Sequence, residues 1–419
     1  MLVDSWLGRA AARHPSRPAL GSLTYGELDV EVTRAARRLA ARGVRRGDDV
    51  AIALPPGEAF CVALHAIHRL GAVAVPVDVR LGPEERVAIA RDAATVVEAP
   101  LAGDEDPDAR VLAHHDLDAD AIVVHTSGTS GAPRPVRLTF GNWLWSALGS
   151  AVALGVDPAE RWLCALPLSH VGGLSIVMRS AIYGTTAIVH ERFETERVLG
   201  ELMRPDGSTL ISVVPTTLRR LLDAGLRRPP ALRWALVGGA PIPPELVGRA
   251  AAAGVPVATT YGLTEACSQV TTLGAPLFCT RVELADDGEI LVSGPTVAPG
   301  SGPVLYTGDL GVWNADGALH VTGRKSETIV TGGENVAPTE VEAVLETHPA
   351  VAEAAVHGRP DPEWGEAVVA TVVARTDVDP EALRAHCAAR LAPYKVPKAI
   401  AFADALPRTR SGKLLRRAL

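Results

Sequence analysis

The stretch Thr126-Ser127-Gly128-Thr129-Ser130-Gly131-Ala132-Pro133-Arg134 gathers hydroxyls and closely spaced glycines directly after an apolar run. Glycine lets a chain turn tightly enough to aim O–H and N–H donors at phosphate oxygens. The spacing is not that of the Gly-x-x-x-x-Gly-Lys-Ser/Thr mononucleotide loop, and by itself such a run is as readily a plain turn. Lysine is the second signal: it stands only at 325, 395, 398 and 413 in a chain otherwise rich in arginine. Ammonium and guanidinium differ in size and hydrogen-bond geometry, so a lysine kept against that bias is a better candidate for chemistry. Lys413 closes the tail Pro407-Arg408-Thr409-Arg410-Ser411-Gly412-Lys413, too polar to be core. The third signal is Arg179, a single charge among Leu174, Ile176, Val177, Met178 and Ile182. On a helix such a cation either snorkels to solvent or is paired, and a substrate carboxylate would supply the pair.

The period of the apolar residues predicts the elements that must position these groups. Helices are expected at 25–41 and 58–70, strands at 50–54 and 72–77, a charged helix from near Pro83, an edge strand at 95–97 and a surface loop at 101–110. A strand at 121–124 leads into the glycine loop, and an apolar helix follows from about Trp143. Strand-like runs recur at 161–166, 186–190, 209–214, 235–237 and 257–260, with helices between several of them, one at 174–183. This cadence predicts an α/β domain with a largely parallel sheet. From 280 the rhythm shortens to hairpins at 281–284, 289–292, 304–307 and 318–322, a β-rich subdomain closing the large domain. A small α+β domain follows: a helix opening at Pro338, strands at 351–357 and 367–373, and a helix at 380–392. The expected boundaries are 1–323 and 324–419.

Composition excludes several classes. A formal net charge of −7 gives no reason to expect nucleic acid. The five cysteines, at 61, 164, 267, 279 and 387, are odd in number and lack metal-ligand spacing, which points to a reducing compartment and buried thiols. No stretch has the roughly 18 uncharged apolar residues of a membrane span. The start, with Asp4 early, lacks a signal-type apolar core. The expectation is a cytoplasmic protein without stable membrane insertion; a homo-oligomer stays open.

The phosphate-type loop resembles that of the adenylate-forming superfamily of acyl-CoA synthetases, luciferases and peptide-synthetase adenylation domains. Further segments match in order: Val237-Gly238-Gly239-Ala240-Pro241, Tyr261-Gly262-Leu263-Thr264-Glu265, Tyr306-Thr307-Gly308-Asp309-Leu310, Gly323-Arg324-Lys325, Gly332-Gly333-Glu334-Asn335 and the Pro407–Lys413 tail. The resemblance covers nearly the whole chain. It implies a large α/β adenylate-forming domain, a small mobile α+β C-terminal domain, and ATP, Mg²⁺ and coenzyme A as ligands. By the same resemblance, Thr126 to Gly131 hold phosphates, Gly238 to Ala240 pass close to adenine, Tyr261 stacks on it with Gly262 beside it, and Thr264 contacts phosphate. Glu265 holds Mg²⁺, a cation that takes hard oxygen ligands. Asp309 accepts the ribose hydroxyls, with Arg324 assisting. Lys413 bridges the incoming carboxylate and the α-phosphate, Lys325-Ser326 is the hinge, and Gly332 to Asn335 line the thiol channel. Two departures stand out: Arg134-Pro135 replaces the Lys-Gly common in relatives, with Arg134 keeping the charge as a catalytic candidate, and Ser326 replaces Asp or Lys.

The run Leu166 to Ser175, with Arg179 to Gly184 after it, resembles the o-succinylbenzoate–CoA ligases of menaquinone synthesis. His170 then stands where the acyl pocket meets the thiol tunnel, and Arg179, Ser175, Ser212 and Gly239 border an aromatic dicarboxylic acid. Other readings remain: a CoA ligase for another small acid, transfer to a carrier-protein thiol, or a nucleotide-binding regulator for which Lys413, Glu265 and Asp309 would all be coincidental.

Overall fold

The computed structural model describes residues 1–127, 133–408 and 414–419, without the side chains of Ser127 and Arg417. The chain divides into two compact units, Met1–Val282 with Val292–Leu305, and Glu283–Leu291 with Tyr306–Leu419.

Two sheets organise the first unit. In one, the strands Thr95–Val97, Asp49–Ile52, Val73–Pro76 and Asp120–Ser127 run parallel in that spatial order, and Pro133–Thr139 returns antiparallel along the edge. Val73–Pro76 is buried along its whole length, as a parallel strand covered on both faces must be. The other sheet carries Val257–Leu263, Trp234–Val237, Leu210–Val213, Arg161–Cys164 and Thr186–Val189 as parallel neighbours.

Five helices of this unit matter below: α1 (Trp6–Arg13), α2 (Tyr25–Ala41), α3 (Glu58–Leu70), α4 (Phe140–Leu154) and α5 (Val171–Tyr183). In α2 the side chains of Leu28, Val32, Ala35 and Leu39 recur at helical spacing and are all buried. Its start is fixed by Thr24 and Glu27, whose side chains each bond the other's backbone N–H. Where the glycine loop was expected to lead straight into a helix from about Trp143, the chain first pairs as Pro133–Thr139. Prolines there disguise a strand, but on a sheet edge a missing N–H costs little. Helix α4 accordingly starts at Phe140, capped reciprocally by Thr139 and Asn142. Helix α5 starts earlier than its sequence period suggested, directly after His170.

Beneath α1, α3 and α4 lies a patch of buried rings: His115 stacks on Phe140 at 4.3 Å, Trp6 meets His115 edge-on at 4.9 Å, and His68 meets Phe140 at 5.0 Å. Burial keeps these imidazoles neutral, pushing His65 down to about 4 and His115 to about 3; His68 falls well below its ordinary value for the same reason. Of the five cysteines, all reduced, Cys61, Cys164, Cys267 and Cys387 are buried and Cys279 is half-exposed.

A four-stranded sheet runs Arg281–Leu284, Glu289–Ser293, Leu305–Trp313, Leu319–Arg324. In the second unit Gly365–Ala374 pairs with Ile329–Thr331, with Val351–Asp361 and, in parallel, with Ala399–Phe402. The helix Pro338–Glu346 packs Val341 and Leu345 into a core with Val356, Val368 and Leu383. Compactness places residues 283–291 and 306–323, expected as the last part of the large domain, in this unit. Near the C-terminus Arg408 pairs with Leu414 in an antiparallel bridge and Leu415 N donates to Pro407 O at 2.9 Å. Arg416 then inserts between Glu342 and Glu327, at 2.8 and 2.5 Å.

Candidate active site

Four consecutive parallel strands of the larger sheet deliver one group of the predicted residues to one edge. Cys164 is in register with Ser212, Val213 with Val237, and Val237 with Thr259. Their carboxyl ends therefore present, side by side, the segment leading to His170, then Ser212, Gly238–Ala240 and Tyr261–Glu265. Crevices at such strand ends are where α/β sheets bind ligands. The tight passage of Gly238 has a local cause: a Cβ there would lie 2.7 Å from Thr260 O. Gly239 takes φ +78°, in the region that favours glycine, and both Gly239 and Ala240 are exposed.

After Leu263 the chain makes the short turn Thr264–Ala266 and then holds Cys267 and Ser268 at φ +51° and +92°. Non-glycine residues in such conformations cost on the order of 1–3 kcal/mol each, so the turn must be pinned from outside. Ala298 N donates to Glu265 O at 2.8 Å, and Ser146 Oγ donates to Cys267 O at 2.7 Å. The Glu265 carboxylate, half-buried, forms no ion pair with any described residue. A hard, uncommitted oxygen donor at a strand end fits Mg²⁺.

Thr126 lies at the end of the other sheet, its Oγ1 donating to Arg134 O at 3.4 Å. Arg134 is exposed, and Pro135 lies in the edge strand opposite His125. Gly128, Thr129, Ser130, Gly131 and Lys413 lie outside the described residues.

On the acid side, Arg179 is 2% exposed. Its Nη2 donates to Ser146 Oγ at 3.0 Å and its guanidinium lies 5.6 Å from the Trp162 ring centre. The Nε is buried without a partner, and no carboxylate of a described residue reaches the group. Burial pulls its pKa down, but a guanidinium stays charged. Trp162 in turn donates its indole N–H to Ser212 Oγ at 3.2 Å, linking two predicted pocket residues. Ser175 is buried and turns its hydroxyl back to Gly172 O at 3.0 Å. His170 opens α5, and beside it Ser169 Oγ donates to Asp78 at 3.3 Å. Burial would raise the Asp78 carboxyl, but Arg80, with His170 adding to it, holds it below its ordinary value.

The remaining predicted residues belong to the second unit. Asp309 is buried and paired with Arg324 Nε at 2.8 Å. Its turn is fixed by Glu289, whose Oε1 accepts from Gly308 N at 2.9 Å while Oε2 accepts from Lys325 Nζ at 2.8 Å. Lys325 also meets Asp287 at 2.5 Å, and these two acids raise its pKa. Ser326 follows in the same short helical turn, Lys325–Glu327. Gly332 and Gly333, at φ +59° and +85°, make the two-residue turn between the strands Ile329–Thr331 and Glu334–Val336. Their first requirement is thus the hairpin; a Cβ on Gly332 would also meet the Trp364 ring at 2.9 Å.

Sequence reasoning missed Ser146, Trp162, Glu289 and Arg416. Ser146 was hidden in an apolar helix and Glu289 in a hairpin that reads as surface. Arg416 follows the lysine so closely that it merged with a basic tail.

Residues 7–99 and 94–301 match the AMP-binding enzyme family, and residues 340–413 match the AMP-binding enzyme C-terminal domain. The chain belongs to the AMP-binding enzyme family. It is 37% identical over 472 residues to the 2-succinylbenzoate–CoA ligase of Bacillus subtilis strain 168, covering 99% of this chain and 97% of that one. With the 2-succinylbenzoate–CoA ligase of Geobacillus sp. strain WCH70 it is 38% identical over 477 residues, covering 100% and 97%. The B. subtilis o-succinylbenzoate CoA synthetase in complex with its acyl-adenylate intermediate superposes with a TM-score of 0.93 at 37% identity, covering 100% of this chain and 98% of that one. The same synthetase with ATP and magnesium ion gives 0.92 at 36% identity, covering 100% and 99%.

Proposed function

We propose that the protein is an AMP-forming o-succinylbenzoate–CoA ligase, converting ATP, 2-succinylbenzoate and coenzyme A to 2-succinylbenzoyl-CoA, AMP and diphosphate. In the first half-reaction the succinyl carboxylate attacks the α-phosphate and diphosphate leaves. Thr126 to Gly131 and Thr264 hold the phosphates, Gly238 to Ala240 and Tyr261 the adenine, Asp309 and Arg324 the ribose. Lys413 follows the charge as it moves between carboxylate and α-phosphate oxygens. Glu265 would hold Mg²⁺, which neutralises phosphate charge that would otherwise repel the incoming carboxylate. In the second half-reaction the thiol of coenzyme A attacks the acyl carbonyl and AMP leaves; Gly332 to Asn335 line its channel and His170 borders the reacting centre. The switch between the two is assigned to residues 324–419 rotating about Lys325-Ser326 against 1–323. The reading includes a cytoplasmic setting, supported by the reduced cysteines; no helix among the described residues is long and apolar enough to cross a membrane.

One observation carries the choice of acid: Arg179 is a buried cation with no described carboxylate against it. A desolvated charge left unpaired is costly, and a substrate with a second carboxylate supplies the partner. The thioester forms at the succinyl end, so the partner is the ring carboxylate. Breaking a desolvated pair of this kind costs roughly 2–5 kcal/mol. Arg179→Ala should therefore lower kcat/KM for the diacid on the order of thirty-fold or more, with the ATP constant barely changed. An analogue without the ring carboxylate should be a poor substrate and lose little further. Diphosphate release, measured for both acids with both proteins, decides it. Equal losses would make Arg179 structural, and a native preference for the monoacid would favour a CoA ligase for another small acid.

A further inference from the structure

Ser146 of α4 is fully buried, and its one oxygen makes two hydrogen bonds. It accepts from Arg179 Nη2 at 3.0 Å and donates to Cys267 O at 2.7 Å. The chemistry fixes the direction: a guanidinium only donates and a carbonyl only accepts, so the hydroxyl proton points at Cys267. A single hydroxyl therefore joins the cation of the acid side to the backbone two residues beyond Glu265.

That backbone is poised to respond. Cys267 and Ser268 hold left-handed conformations that persist only where the surroundings over-determine them. Two donors do so here, Ala298 N on Glu265 O and Ser146 Oγ on Cys267 O. A carboxylate arriving at Arg179 can take the unpartnered Nε–H and so hold the guanidinium in place with Nη2 still on Ser146. Hydrogen bonds in a chain reinforce one another, so the bond on Cys267 O is strengthened with it.

We propose that Ser146 is a positioning residue that couples occupancy of the Arg179 carboxylate site to the Thr264–Ala266 turn, so that bound diacid and bound magnesium nucleotide strengthen each other. The proposal rests on the reading of Arg179 as partner of the acid's second carboxylate. A serine that only fills space would affect stability and leave the two sites independent.

The experiment is equilibrium binding of a non-hydrolysable ATP analogue with magnesium to the full-length protein. It is run alone, with 2-succinylbenzoate, and with the monoacid lacking the ring carboxylate. In the unmodified protein the diacid should tighten nucleotide binding about five-fold or more, the nucleotide should tighten diacid binding by the same factor, and the monoacid should do neither. Ser146→Ala should bring the factor close to unity; the factor is a ratio, so weaker nucleotide binding from a less firmly pinned turn does not by itself move it. Ser146→Thr, which keeps the hydroxyl, should restore most of it. Should the alanine variant not fold, Ser146→Cys keeps the volume with a weak donor and acceptor and should likewise lower the factor. A folded Ser146→Ala or Ser146→Cys with the unmodified factor overturns the coupling while Arg179→Ala remains selective for the diacid. Arg179→Ala that weakens both acids alike overturns the reading of Arg179 and the coupling with it.

Discussion

Arg179 and Arg416 are both largely withdrawn from water, and the two units treat them in opposite ways. Arg416 is clamped by Glu342 and Glu327 and also reaches Val356 O, a charge complete within its own fold. Arg179 meets a hydroxyl and an indole face but no described carboxylate. A cation that a fold neutralises serves the fold; one with no described carboxylate against it is the one proposed above to meet an anion from outside. The buried histidines of the first unit show the third course, since their charge is simply absent at neutral pH.

The contrast breaks first if Arg416 proves dispensable. Arg416→Ala strands Glu342 in the core and should destabilise the protein by about 3–5 kcal/mol in a denaturant titration. Replacing Arg416 by Met together with Glu342 by Leu should recover part of that loss, because the buried charge of Glu342 is gone and Glu327, a third exposed, can be solvated, although Val356 N loses its acceptor. The histidines come next. Their folded pKa values lie below the unfolded value near 6.5, so between the two the unfolded chain binds more protons. Their contribution is complete above about pH 6.5 and is lost as pH falls toward 4 for His65 and 3 for His115. For His65 alone this amounts to on the order of 3 kcal/mol. Urea midpoints from pH 7.5 down to 4.5 should fall steeply, and less so in His65→Gln; a flat profile would remove the histidines from the comparison.

The functional cations should then change rates and leave the melting midpoint in place. Lys413→Ala should slow adenylation about a hundred-fold or more, the scale of losing one transition-state donor. Thiol transfer from supplied acyl-adenylate should be far less affected, which rapid mixing of the two half-reactions can separate. The smallest effect should come from Arg179→Lys, which keeps the charge but not the planar fork. A loss of about tenfold in kcat/KM for the diacid is expected, with little change for the monoacid.

Much of this was legible before any coordinates, because it rests on short-range constraints. The apolar period of α2 and the short hairpin expected at 281–284 and 289–292 dictate local structure from neighbouring residues. The strand-like runs at 235–237 and 257–260 likewise left Gly238–Ala240 and Tyr261–Glu265 at strand ends; that the two strands adjoin is what the structure adds. What stayed hidden depends on contacts far apart in the chain. Pro133–Thr139 carries two prolines and forms a strand only because its partner, Asp120–Ser127, leaves it an edge. Ser146 gains meaning only when α4 brings it between Arg179 and Cys267, residues 33 and 121 positions away. Glu289 reads as a surface acid until Gly308 and Lys325 converge on it.

The thiol inventory gives the molecule a built-in reporter. With Cys61, Cys164, Cys267 and Cys387 enclosed and Cys279 half-exposed, the native protein offers alkylating reagents one partly exposed cysteine, and the unfolded chain offers five. Burial also raises the Cys279 pKa, so labelling at neutral pH is slow enough to follow by mass. Adduct number then counts unfolded molecules directly, and a single dye on Cys279 marks the first unit for distance measurements without any cysteine having to be engineered away.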